Sequence, residues 1–356
     1  MGESLASKRI AWIDNAKAFA IFFIVFGHII LNGPLCHYVN SFHVPFFFFL
    51  SGLTFSAKKA PKEFFVEKVK RILVPYWVFS LISIALYLLL GEYASKELGK
   101  TDSLLSLGQC IYGMFYGARG NGLMNWNRPL WFLPCLFFLL SISYIIKRFV
   151  FRNNEKKLLT VISFAVCLGG FTLMYRFGFF PELPFGMTQA ASASPFFTLG
   201  ILVRQFLSDP IKPISLRLIF KIPLGVFFIA VGAYVDRINS YGVGFSYNRF
   251  GIFWAYFVAA FSGIFGWCLL ASLFRFKVLE YVGKNTLSVL LMHKFPIIFY
   301  SFLPIPDAGG NVPISIALSV LTVLLCLAAG AVIEKILPAA IGKPRKKAIS
   351  NDIKEQ

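Results

Sequence analysis

Residues 12–30, "WIDNAKAFAIFFIVFGHII", place Asp14, Lys17 and His28 inside an otherwise apolar run. Lys17 and His28 are eleven residues apart, which at about 100° per residue returns to the same helix face within roughly 20°, some 16 Å along the axis. Asp14, three residues before Lys17, shares that face. One stripe thus carries a carboxylate, an ammonium and an imidazole, and a neutral imidazole is free to accept a proton near neutral pH. Each charged residue in hydrocarbon costs about 2.5 to 3.5 kcal/mol on insertion scales, so the stripe is expected to line a protein interior or a wet cavity. The plainer alternative pairs Asp14 with Lys17 at the membrane surface and leaves His28 as a hydrogen-bonded core residue.

Further polar residues intrude elsewhere. His43 stands in "FHVPFFFFLSG" and His293 in "LSVLLMHKFP", so three of the four histidines fall at membrane depth or its edge. His37, in "LNGPLCHYVN", reads as a solvated loop residue. On the opposite side of the membrane, "EKVKRILVPYW" sets Lys68, Lys70 and Arg71 just before an apolar run. They serve either as membrane anchors or as a cradle for the phosphates of a cofactor arriving from the cytosol.

The elements that must carry these residues follow from composition and periodicity. Hydrophobic residues make up 57% of the 356-residue chain, 42 of them Phe, and only 14% are charged, a balance that water-facing surfaces exclude. The expected class is an all-α, polytopic membrane protein. Apolar runs of about 20 residues place about ten spans near 12–33, 42–57, 72–91, 128–146, 158–176, 189–207, 218–235, 250–273, 285–303 and 312–334. Of the 35 basic residues, 26 fall in one set of alternate loops and 7 in the other, with Lys17 and Lys294 inside spans. That asymmetry predicts both termini in the cytoplasm. The net charge of +19 is therefore assigned to membrane orientation rather than to nucleic acid. The first apolar run lacks a small-residue cleavage site and is expected to remain as a span.

Several classes are disfavoured by missing motifs. The six cysteines show no CxxC spacing, which argues against a metal site or redox pair; Cys36 and Cys110 fall on the same side and are the one candidate disulfide. There is no Walker A loop, no GxGxxG after a strand and no GxSxG elbow. Between 92 and 127, "SLLSLGQCIYGMFYG" suits a helix on the outer surface, and "GARGNGLMNWN" either a plain connecting loop or a lid over the acceptor entrance. Residues 1–340 form the expected membrane domain, and 341–356 a charged, disordered tail.

The motifs "RIAWIDNAKAFAIFFIVFGHI", "FHVPFFFFLSG", "KVKRILVPYW", "RPLWFLPCLF" and "LSVLLMHKFP", taken in this order from residue 9 to about 300, resemble the acyltransferase-3 family of integral membrane acyltransferases, nearest its fucose 4-O-acetylase-like branch. Lys17 and His28 match the family's pattern of an arginine or lysine followed, after ten residues, by histidine; Lys17 stands where other branches carry arginine. The chain is also expected to act without the extracytoplasmic esterase-like domain that some members append.

The resemblance implies transfer of an acetyl group from acetyl-CoA, without a metal, to a hydroxyl of a cell-surface glycan or its precursor, in a bacterial cytoplasmic (inner) membrane. On that reading His28 is the general base, Lys17 stabilises negative charge or the donor's phosphates, and Asp14 orients Lys17. Lys68, Lys70 and Arg71 hold the donor's phosphates. His43, Ser51, Arg128, Trp131 and His293 shape the acceptor site, although Trp131 equally fits an interfacial aromatic belt. The expected partners are the bilayer, a carbohydrate acceptor and polysaccharide-synthesis machinery. Exopolysaccharide, lipopolysaccharide side chains, glycolipid precursors and free or nucleotide-linked sugars all fit as acceptors, and the oligomeric state stays open. The alternative is a glycolipid transporter or flippase with Asp14, Lys17 and His28 as a proton relay; the two halves of the chain show no inverted repeat to favour it.

Overall fold

A computed structural model describes residues 11–97, 104–119, 122–152, 154, 156–207, 217–239, 242–273, 276–303, 305 and 310–344. Most of the expected tail, from 345 on, lies outside these residues. Helices dominate: α1 (Ala11–Ile29), α2 (Pro34–Leu53), α3 (Pro61–Lys68), α4 (Val74–Glu97), α5 (Leu107–Tyr116), α6 (Phe132–Ile145), α7 (Lys157–Arg176), α8 (Met187–Phe206), α9 (Leu218–Asp236), α10 (Phe253–Ala271), α11 (Lys277–Lys284), α12 (Thr286–Met292), α13 (Lys294–Tyr300) and α14 (Val312–Ile336). Among the described residues no strand forms, only an isolated bridge between Gly244 and Arg249. The chain is all-α.

Seven helical segments of the described residues are long and apolar enough to cross a membrane: Ala11–Ile29, Pro61–Gly91, Arg128–Val150, Lys157–Arg176, Leu218–Asp236, Phe253–Ala271 and Val312–Ile336. The other three expected spans correspond to α2, α8 and the α12–α13 pair, which do not meet that measure. Prolines account for several irregularities. The Pro61–Gly91 segment contains a π-helical turn at Val69–Leu73, just ahead of Pro75, which cannot donate to the carbonyl one turn earlier. Pro296 likewise supplies no N–H to Met292, and the helix breaks at His293, where the next bond, Ile297 N–H to the His293 carbonyl, stretches to 3.4 Å.

Burial separates inner from outer helices. In the most apolar window of α1, 72% of residues are buried, against 11% in α7 and 17% in α9. Around α1 pack α2, α10, α11, α12 and α14, so its polar stripe meets protein rather than acyl chains. Two glycines bring α2 and α8 together: a Cβ on Gly52 would collide with the Phe197 carbonyl, and one on Gly200 with that of Phe49. Gly283 performs the same service where α11 crosses the start of α1 at the Asp14 backbone. The described chain stays packed through Lys343, which donates to Asn285 Oδ1 at 2.7 Å, and Ile341 is buried.

The described parts of the connection after α4, 106–119 and 122–127, pack against the protein. Helix α5 begins with a reciprocal cap between Ser106 and Gln109 and exposes Leu107, Tyr112 and Phe115, in keeping with a surface helix. Beyond it Met124 and Trp126 are buried, and Asn127 donates to Ser83 Oγ at 2.9 Å. All six cysteines are free, Cys36 and Cys110 included.

Candidate functional site

His28 and His293 meet. Their ring centroids are 5.3 Å apart with planes at 30°, although 265 residues separate them in the chain. His293 is fully buried, and its Nδ1 lies 3.0 Å from the carbonyls of both Val289 and Leu290. A carbonyl only accepts, so Nδ1 carries the proton, leaving Nε2 an acceptor that is buried without a hydrogen-bond partner among the described residues. His28 is half-buried and makes no hydrogen bond among the described residues, unlike the satisfied core histidine of the plainer alternative.

His43, buried on α2, points its Nδ1 at the Val39 carbonyl at 2.7 Å, which fixes its tautomer in the same way. Its ring passes beside Gly27, where an added Cβ would lie 3.7 Å from His43 Cε1. His43 therefore closes one side of the His28 environment. The charged side chains that act on His28 are Lys294 and Arg119. Lys294 and Arg119 were absent from the expected site. Lys294 left a signal, a basic residue inside a span and next to a histidine; Arg119 sits in a Gly- and Asn-rich connection, where sequence offers no register.

Arg119 is held by the loop between α9 and α10. Nη1 donates to Ser246 Oγ, and Nη2 to the Tyr247 hydroxyl at 2.6 Å, while the guanidinium carbon lies 3.9 Å over the Tyr247 ring. Burial pulls Arg119 down to about 10, partly offset by Tyr247, so it remains charged at neutral pH. Arg128 belongs to this neighbourhood and donates from Nε to Asn125 Oδ1 at 3.0 Å. Trp131 is buried, with its ring nearly parallel to Phe245 at 6.2 Å. It belongs to the packed interior rather than to an interfacial belt.

At the other end of the stripe, Lys17 Nζ lies 4.0 Å from Asp14 Oδ1. The ion pair of the plainer alternative exists, and Lys17 also lines a cavity of about 220 Å³ with Ser51, Thr54 and Arg71. The remaining walls are mostly apolar, from Ile24 and Phe47 to Phe132 and Leu290. Ile24 is one helical turn before His28 and Leu290 three residues before His293; neither histidine is itself among the cavity's lining.

Of the expected basic cradle only Arg71 reaches this cavity, tethered to Glu67 at 3.1 Å. Lys68 instead lies 5.3 Å over the Phe64 ring, and Lys70 is exposed; neither is among the cavity's lining. Helix positions two apart do not face the same way, and these three side chains point in different directions. Among the described residues no group of three or more His, Cys, Asp or Glu side chains is arranged to hold a metal ion.

The site thus holds a pair of imidazoles at 5.3 Å and, nearer the start of α1, a mostly apolar cavity that carries Lys17 and Arg71. No curated protein and no solved structure matches the chain. The family model for the acyltransferase domain of the acyltransferase-3 group matches residues 10–331, about nine-tenths of the chain. By that match across both halves of the histidine pair, the chain belongs to the acyltransferase-3 family of membrane acyltransferases.

Proposed function

We propose that this membrane acyltransferase moves an acetyl group from acetyl-CoA to a hydroxyl of a cell-surface glycan or its precursor. The observation that carries the reading is the His28–His293 pair at 5.3 Å, one turn beyond a cavity lined by Lys17 and Arg71. The donor's phosphates rest on Lys17 and Arg71, and its pantetheine arm follows the apolar wall past Ile24 and Leu290. Lys17 and His28 are about 16 Å apart along the helix, so no single reacting atom touches both; Lys17 binds the donor, and His28 does the proton chemistry.

His28 removes the proton from the sugar hydroxyl as its oxygen attacks the thioester carbonyl carbon. The developing oxyanion is stabilised by the positive field of Arg119 and Lys294. The C–S bond then breaks, the thiolate takes the proton from the His28 imidazolium, and an O-acetyl ester and free CoA result. The His293 ring, its own tautomer fixed by the Val289 and Leu290 carbonyls, stands 5.3 Å from the His28 ring and limits how that imidazole can turn. Arg119, Arg128 and Trp131 border the acceptor side, while Lys68 and Lys70 act in membrane anchoring.

Reconstituted protein is supplied with labelled acetyl-CoA and candidate glycans, and both free CoA and label in glycan are scored. The expected result is acceptor-dependent CoA release that falls about 10²- to 10⁴-fold in His28→Ala, with the variant eluting as the parent does. Label-free movement of glycolipid across the bilayer without CoA release would instead favour the transporter reading.

A further inference from the structure

A second and larger cavity lies outside the site, with a volume of about 560 Å³. Helices α6 and α7 each pack on α8 but make little contact with each other, and the cavity is the slot left between them. Its back wall is the α8 stripe from Ser194 to Gln205; its sides run from Leu139 to Ile146 on α6 and from Thr160 to Cys167 on α7. Eleven residues of helix cover about 16 Å, close to one leaflet of a hydrocarbon core about 30 Å thick. Both flanking helices expose apolar residues beside the slot, among them Ile142, Ile162 and Val166.

The two ends differ in chemistry. At one end stand Lys58, Lys147 and Arg204, with no carboxylate among the described lining residues, and Lys147 donates to the Asn154 carbonyl at 2.6 Å. Lys58 is exposed, and Arg204 spends one donor on the Phe55 carbonyl at 2.7 Å. Beside them Gln205 Oε1 is buried and lacks a hydrogen-bond donor among the described residues. Deeper in, hydroxyls are satisfied within their own helices: Ser163 donates to Leu159 at 2.7 Å, Ser194 to Ala191 at 2.8 Å and Thr198 to Ser194 at 2.7 Å. The inner slot therefore offers mostly methyl and methylene surface, with the Ser143 and Thr160 hydroxyls also on its sides.

We propose that this slot binds one anionic phospholipid of the phosphatidylglycerol type, from the leaflet that the basic-residue bias assigns to the cytoplasm. The phosphodiester sits among Lys58, Lys147 and Arg204, a headgroup hydroxyl donates to Gln205 Oε1, and an acyl chain lies against α8 between α6 and α7. Charge complementarity, a depth of one leaflet and the side opening select a lipid over a soluble anion.

Native mass spectrometry of the purified full chain with dioleoyl phosphatidylglycerol, dioleoyl phosphatidylcholine or glycerol 3-phosphate tests this. The expected result is a one-lipid adduct with phosphatidylglycerol that survives conditions stripping phosphatidylcholine, and roughly tenfold weaker binding in Lys58→Gln, as for loss of one charge-assisted contact. Ile146→Trp, which fills the slot, should weaken the adduct without moving the charges. Equal retention of the two lipids, equal competition by glycerol 3-phosphate, or full binding in both variants would overturn the proposal.

Discussion

Lys17→Met separates donor binding from chemistry. The Lys17 side chain is 29% exposed and lines the cavity, so a phosphate there meets a mostly desolvated ammonium. A hydrogen bond to a charged group is worth about 1.5 to 3 kcal/mol, which at 1.4 kcal/mol per tenfold raises KM for acetyl-CoA by roughly 10- to 150-fold. Arg71 is 58% exposed and already paired with Glu67, so Arg71→Gln should cost less. Because His28 is about 16 Å away along the helix, kcat should stay within a few-fold.

The assay is steady-state CoA release with acetyl-CoA and, in parallel, S-acetylpantetheine, which keeps the thioester and lacks the nucleotide phosphates. The Lys17→Met defect should vanish with the truncated donor, and Lys17→Arg should behave close to the parent. Asp14 is buried beside Lys17, so a thermal melt must accompany the kinetics to exclude lost folding. An equal defect with both donors, or a loss confined to kcat, would refute a phosphate role for Lys17 and return it to the ion pair alone.

Two other outcomes follow from the geometry. Arg119→Lys keeps the charge but cannot reach Ser246 and Tyr247 as a fork; it should lower turnover about tenfold at limiting acceptor, read by the same assay, and leave KM for the donor unchanged. Gly52→Ala drives a methyl into the Phe197 backbone, where nothing flexible can yield; a loss of about 1 to 3 kcal/mol should appear as a lower melting temperature in detergent.

Much of the helical pattern was legible because it is local. Apolar length and period predicted α1, α7, α9, α10 and α14 within a few residues, and the apolar content of "SLLSLGQCIYGMFYG" pointed to the helix found at α5. The basic stretch 68–71 suggested a cradle on charge alone, but helix positions two apart do not share a face. Arg71 reaches the cavity, Lys68 lies on Phe64 and Lys70 is exposed. Glycine and asparagine content between 117 and 127 fitted a lid or a plain connecting loop, and Met124 and Trp126 are buried. Composition reports backbone freedom, whereas packing decides whether it is used.

By itself the amino-acid sequence determined that the chain is helical and bilayer-compatible, and that Asp14, Lys17 and His28 share a face, since each property is set within a few turns of one helix. Only the tertiary structure decided what that face meets. The approach of His28 to His293, the reach of Arg119 into their field, and the union of Lys17, Ser51 and Arg71 in one cavity all depend on how helices distant in sequence cross. Those crossings are set by close contacts such as Gly52 on Phe197 and by breaks such as that at His293, whose effect no single segment encodes.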